Sequence, residues 1–160
     1  MKILIVSDTH GREHMLGKIV RKVGTFDRML HLGDVEGGEE RIRAIAGGVP
    51  VDIIAGNNDF FCDLPNERML TIGRYKVWMT HGHRYFVHGG PLYIKEEARK
   101  RGVDVVMYGH THRPYLEVGP DLTVLNPGSV SLPRQENRKS SFILMELDRD
   151  GEAHYTINYV

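Results

Sequence analysis

Two hydrophobic periods alternate along the first third of the chain. Lys2 to Ser7 is a short β-branched apolar run with no polar alternation, the pattern of a strand covered on both faces. From Arg12 to Val23 the apolar residues Met15, Leu16, Ile19, Val20 and Val23 recur at helical spacing, with Gly24 as a stop. Arg28 to Leu32 predicts a second strand, ending at Gly33-Asp34. Glu39 to Ala46 predicts a short amphipathic helix on Ile42 and Ile45, closed by Gly47-Gly48, and Val49 to Ala55 a third strand ending at Gly56. This βαβαβ order predicts parallel strands joined by right-handed crossovers.

Beyond Asp59 the pattern shifts toward strands. Arg68 to Ile72 and Tyr75 to Thr80 flank Gly73-Arg74 as a hairpin. Pro91 to Arg101 reads as a helix with proline in its first turn and Gly102 as its stop. Val103 to Tyr108 predicts a strand, followed by short runs at Tyr115 to Val118, Leu122 to Leu125, Ser141 to Leu147 and Ala153 to Tyr159. No repeat or linker interrupts them, so residues 1–160 are expected to form one domain.

Composition narrows the function classes. Lys plus Arg is 21 and Asp plus Glu is 21, a balance that gives no strong nucleic-acid signal. The one cysteine, Cys62, excludes an intramolecular disulfide and a Cys-rich zinc site. No apolar run approaches the ~20 residues of a membrane span, and the apolar N-terminus is too short for a signal peptide. No membrane partner is expected, and the expected location is cytoplasmic. Nine histidines remain to be explained.

Their placement is informative. Five apolar runs each stop at a small residue and pass at once into metal-ligand residues: Ser7-Asp8-Thr9-His10, Gly33-Asp34, Gly56-Asn57-Asn58-Asp59, Thr80-His81-Gly82-His83 and Gly109-His110-Thr111-His112. Sites in open α/β sheets form outside the carboxyl ends of strands, and parallel strands bring those ends to one edge. In an extended segment Asp8/His10 and His110/His112 would each point two ligands the same way. A set of carboxylates, imidazoles and an amide oxygen suits Mn, Fe, Ni or Zn better than a thiolate-seeking metal.

In this order the five motifs resemble the signature of the calcineurin-like metallophosphoesterase superfamily. Asn126-Pro127-Gly128-Ser129 with Pro133-Arg134 looks like the tail motif of its small single-domain bacterial and archaeal phosphodiesterases. The resemblance spans residues 2 to about 148. It implies a four-layer α/β/β/α sandwich of two mixed sheets around a dinuclear site with two divalent ions, Mn foremost. Asp8, His10 and His112 would hold one ion, Asn57, His81 and His110 the other, and Asp34 would bridge them. The implied reaction is hydrolysis of a small phosphodiester by a water activated between two ions. Asp34, Asn58 and Asp59 are the expected catalytic residues, and Arg12, His14 and His83 the candidate substrate contacts.

One position departs from the family. After the metal-binding Asn many relatives have His, and the small phosphodiesterases often Cys; here it is Asn58. An amide can donate to a phosphate oxygen but has no usable proton at neutral pH. Slow turnover is therefore expected on alkyl diesters and faster turnover on activated aryl diesters, unless His14, His83 or His88 supplies the acid. The fold also occurs as a non-catalytic scaffold, in a eukaryotic trafficking-complex subunit that resembles this chain but lacks key ligand positions. The intact ligand set favours an enzyme, and the neutral, insertion-free chain disfavours a nuclease or phosphoprotein phosphatase.

The remaining features read as structural. His31 and Trp78 fall within strands and His154 on an exposed one, Asp59 either orients a ligand or accepts backbone N–H groups, and Cys62 has no nearby histidine to activate it. Arg134, like Arg12, is either a phosphate contact or a surface charge. Asn126 to Ser129 is expected to support the His110/His112 loop. Apolar side chains in 59–64 and 85–93 are candidates either for a self-contact in a homo-oligomer, a dimer or tetramer, or for the lining of a pocket.

Overall fold

The computed structural model describes residues 1–160. One sheet is built from β1 (Lys2–Val6), β2 (Arg28–His31), β3 (Val51–Ile53), β9 (Ser141–Leu147) and β10 (Ala153–Tyr159), in the order β10-β9-β1-β2-β3. The other has β4 (Glu67–Ile72), β5 (Tyr75–Thr80), β6 (Val105–Met107), β7 (Pro114–Val118) and β8 (Thr123–Pro127), in the order β4-β5-β6-β8-β7. Each has a parallel centre, β1-β2-β3 or β5-β6-β8, with antiparallel strands outside it.

The strands place alternate residues in different layers, as the twofold side-chain period requires. Ile3 and Ile5 of β1, Val77 and Met79 of β5 and Val105 and Met107 of β6 meet between the sheets. Leu4 and Val6 turn the other way, against Leu16 and Ile19 of α1 (Glu13–Val23) and Ile42 of α2 (Glu39–Ile45). Trp78, Val106 and Val124 pack against Ile94 and Ala98 of α3 (Leu92–Lys100). Three apolar layers thus separate four layers of structure, α/β/β/α, and both sheets are covered.

Several elements are shorter than the apolar pattern predicts. The third strand is Val51–Ile53 rather than 49–55, because Pro50 has no N–H to donate and the Ala55 N–H leaves the sheet for the Pro65 carbonyl (2.8 Å). The strand predicted at 103–108 is regular only over Val105–Met107. These early exits free the backbone for the loops that carry the candidate residues.

Candidate metal centre

The loops after β1, β2, β3, β5 and β6 bring residues from both sheets together. One ligand atom each from Asp8, His10, Asp34 and His112 lies within 4.8 Å of every other. His10 Nε2 and His112 Nε2 are 3.2 Å apart, and His112 Nε2 is 3.1 Å from Asp8 Oδ1. His81 Nε2 lies 3.1 Å from Asn57 Oδ1 and 3.4 Å from Asp34 Oδ2. His110 joins through its backbone N–H, which donates to Asp8 Oδ2 (3.2 Å), and through edge contact of its ring with His81, 5.2 Å between centroids.

The backbone of these loops is not extended. Asp8, His10, Asp34, His110 and His112 all have positive φ, between 46° and 68°, so turns rather than the period of a strand aim Asp8 with His10 and His110 with His112. Non-glycine residues in this region carry strain of about 1–3 kcal/mol, held by the surrounding fold. Close approach demands glycine at Gly56, where an added Cβ would stand 2.1 Å from Asp34 Oδ1.

His81, His112 and His10 are each oriented from behind. The Leu32 carbonyl accepts from His81 Nδ1 (2.6 Å), the Leu132 carbonyl from His112 Nδ1 (2.8 Å), and Glu36 Oε1 from His10 Nδ1 (2.6 Å). A carbonyl or carboxylate cannot donate, so Nδ1 carries hydrogen, and in the neutral ring Nε2 presents its lone pair to the centre. Those lone pairs face oxygen acceptors and one another, and Asp8 Oδ1 is buried without a hydrogen bond. Acceptors gathered in this way need a positive charge among them, a proton or a metal cation. The charges respond accordingly. Burial pushes Asp34 up, but the hydrogen bond and charge of His81 and the donors of Asn58 outweigh it and hold the carboxyl well below its usual range. Burial pushes His81 down, and the Asp34 hydrogen bond with the Asp8 and Asp34 charges more than reverses this. His110, whose ring makes no hydrogen bond to a carboxylate, is held at about 4 by burial and then by the charge of His81. The donor set of imidazole nitrogens, carboxylate oxygens and an amide oxygen fits a divalent ion of intermediate hardness.

The other expected site residues fall into three groups. Asn58 grips Asp34: its backbone N–H donates to Oδ1 (2.9 Å) and its side-chain amide to Oδ2 (2.8 Å). Asp59 accepts from the backbone N–H groups of Asp34, Val35, Glu36 and Gly56 at 2.7–2.9 Å, so its carboxylate is engaged with the loop that carries Asp34. His83 is half-buried, its ring 5.5 Å from His81 and 6.0 Å from His110. Arg12 and His14 are exposed, and neither lines the two cavities flanking the site. The larger cavity, about 940 Å³, is bordered by Asn58, Glu36 and Phe60 to Leu64. The smaller, about 490 Å³, is bordered by His88, Arg113 and Arg134.

Several supporting groups have little or no mark in the sequence. Glu36, two residues beyond Asp34, is one; a carboxylate beside a ligand motif is its only signal. The Leu32 and Leu132 carbonyls have none. The Asn126 amide donates to Gly109 O (2.8 Å) and Thr111 Oγ1 (3.0 Å), bearing out the support expected for the His110/His112 loop. Ser129 also donates to Asp8 O (2.9 Å), so the same turn braces the first loop as well. Buried His31 does more than fill a strand. Its Nδ1 accepts from the Gly33 N–H (3.3 Å), which leaves Nε2–H to donate to Thr9 Oγ1 (3.1 Å) between the Asp8 and Asp34 loops. Cys62 Sγ donates only to Asp59 O (3.5 Å).

Comparison with known proteins agrees with this architecture. The calcineurin-like phosphoesterase superfamily domain matches residues 1–150, and the chain belongs to that superfamily. Among individual relatives, the probable metallophosphoesterase YsnB of Bacillus subtilis is 36% identical over 151 residues, covering 94% of this chain and 86% of YsnB. A Streptococcus pneumoniae TIGR4 protein described as a predicted phosphoesterase superposes with TM-score 0.78 at 25% identity, over 99% of this chain and 97% of the other. The zinc complex of Vps29 from Entamoeba histolytica also superposes with TM-score 0.78, at 23% identity, over 99% of each chain; at that identity the likeness is one of fold. No helix is long and apolar enough to cross a membrane.

Proposed function

We propose that the chain acts as a single-domain cytoplasmic phosphodiesterase on small phosphodiesters, with two divalent metal ions. The observation that carries this reading is the convergence of imidazole lone pairs on Asp8 and Asp34, with the rings of His10, His81 and His112 each fixed by an acceptor behind it. Asp8, His10 and His112 would hold one ion, Asn57, His81 and His110 the other, with Asp34 shared. Bound there, divalent ions supply Lewis acidity toward phosphate oxygens and a water of lowered pKa. The ligand chemistry suits Mn, with Zn, Fe and Ni also matched, and Vps29 of Entamoeba histolytica, a protein of the same fold, binds Zn.

The chain's own residues supply orientation. Asn58 holds both oxygens of Asp34, and each carboxylate oxygen retains a second lone pair. Exposed at the mouth, the Asn58 amide can donate to a phosphate oxygen but delivers no proton to a leaving group. Asp59 acts as a positioning residue through the four amides it binds. His83, beside His81 and His110, remains a candidate substrate contact.

The test is hydrolysis of bis(p-nitrophenyl) phosphate by metal-stripped protein with and without Mn²⁺, beside p-nitrophenyl phosphate and an Asp34→Asn variant. Mn²⁺-dependent diester cleavage, little monoester cleavage and loss in the variant support the reading. The replacement of His or Cys by Asn58 favours a second reading, a metal-binding scaffold without catalysis. Stoichiometric metal binding with no hydrolysis under any divalent ion would select it.

A further inference from the structure

The two cavities flanking the centre have opposite character. The one on the Asn58 side is lined by Glu36, Glu39, Glu40, Asp59 and Asp63, with no lysine or arginine. The one on the His110 side is lined by Arg113, Arg134 and His88 and contains no carboxylate. A chain of zero net charge therefore presents a polarised cleft across its candidate site.

The basic cavity adjoins the centre directly. The His88 ring lies 4.3 Å from that of His110, Arg113 follows His112 in the chain, and the Arg134 N–H donates to the His112 carbonyl (3.0 Å). Neither guanidinium is neutralised. Arg28, Arg68, Arg99 and Arg101 each pair with an acid, whereas Arg113 and Arg134 have no carboxylate within ion-pair distance. The nearby acid Glu117 is already engaged by Lys95 (2.6 Å) and by the Tyr115 hydroxyl (2.5 Å). Tyr108 and Tyr115 add aromatic wall, and about 490 Å³ is ample for a small organic group.

We propose that this cavity is a subsite for a second anionic group, a phosphomonoester or carboxylate, on one ester arm of the substrate. The inference rests on the phosphodiesterase reading and extends it to a substrate class: small diesters with a ring-bearing arm that ends in an additional negative charge. Guanidinium forks are suited to such groups because they bind two oxygens at once. The acidic cavity opposite repels the same charge, so the diester is bound in one direction, its charged arm toward Arg113 and Arg134.

The test compares two substrates of the Mn²⁺-loaded protein: the p-nitrophenyl ester of thymidine 5′-phosphate, and the same ester carrying a 3′-phosphate. The 3′-phosphorylated ester should be favoured in kcat/KM by at least about tenfold, mainly through KM. In Arg113→Gln and Arg134→Gln the ratio between the substrates should fall toward one. Calorimetric binding of thymidine 3′,5′-bisphosphate against thymidine 5′-monophosphate gives a readout that needs no turnover and no variant; the bisphosphate should bind at least about tenfold more tightly. Equal kcat/KM values with equal nucleotide affinities would overturn the subsite and leave the phosphodiesterase reading standing. A preference that survives both variants, or an equal loss on both esters in both variants, would also overturn it, the latter assigning the arginines to the scissile phosphate. Absence of hydrolysis with a bisphosphate preference that Arg113→Gln and Arg134→Gln abolish would remove the phosphodiesterase reading and sustain the anion subsite.

Discussion

At Asp59 one carboxylate serves four backbone amides, three of them from the loop that carries Asp34. An amide in its place would turn an NH₂ group toward donors that need an acceptor. Asp59→Asn is expected to cost about 2–3 kcal/mol of stability and to weaken metal binding roughly 10–100-fold, read by urea unfolding and metal titration. Loss of stability with unaltered metal affinity would confine Asp59 to the fold. His31 gives a pH-dependent counterpart. Burial holds its pKa at about 4, against 6.5 for an unhindered imidazole. Above pH 6.5 it is neutral folded or unfolded and contributes no pH dependence. As pH falls from 6.5 to about 4 only the unfolded chain takes up the proton, so stability is lost across that window, by up to about 3 kcal/mol. Metal-free wild type should lose more stability between pH 7 and 4.5 than His31→Gln, whose amide keeps a donor for Thr9; parallel curves would show that His31 is not the group responsible. Sequence made the ligand residues conspicuous, since Asp, Asn and His each follow a strand end. Their backbone conformation was not legible, because nothing in a motif such as Asp8-Thr9-His10 reveals a positive φ, nor that a carbonyl at Leu132 will orient a ring.

Strands were legible where both faces are buried. Runs such as Ile3-Leu4-Ile5-Val6 have no polar alternation to confuse them, and each face meets an apolar layer. Their ends were less so, because backbone leaving the sheet is still apolar, as at Ile54-Ala55. Helix α3 depends on a contact that the apolar pattern does not reveal. Arg101, just past its end, lies over the Trp78 ring at 4.0 Å and donates to Glu67 (3.0 Å) and the Tyr85 hydroxyl (2.9 Å). One side chain thus ties the helix terminus to β4, β5 and the turn after β5. Arg101→Gln should lower stability by about 1 kcal/mol, seen as a lower urea midpoint at unchanged slope. Lysine there should recover only part of the loss, since it lacks the planar fork. Full recovery by lysine would make charge alone the cause.

Across the whole molecule, the division into two sheets was not written in the hydrophobic periods. Strands β1, β2 and β3 look like β5, β6 and β8, and only long-range pairing separates them; the four-layer arrangement was implied by family resemblance instead. The centre lies where the two parallel cores bring their carboxyl ends together, so each half of the sequence supplies part of it. Its candidate ligands are held in place by the fold itself: His81 by Leu32, His112 by Leu132, Asp8 by Ser129 and Asp34 by Asn58. Metal should therefore not be needed to assemble this fold, unlike a small domain organised around an ion. It should still stabilise the native state, which alone gathers the ligands. At free metal a thousandfold above Kd the gain is about 4 kcal/mol per site, which for a domain of this size raises Tm by roughly 10 °C. Chelation of the Mn²⁺-loaded protein, which empties both proposed sites, should therefore lower Tm by up to about twice that amount and leave the far-ultraviolet circular dichroism at 25 °C unchanged. Asp34→Asn should lose most of the metal-dependent increment. Unfolding on chelation at 25 °C would mean that the ion organises the loops, and that the backbone anchors behind the histidines are too weak to hold them alone.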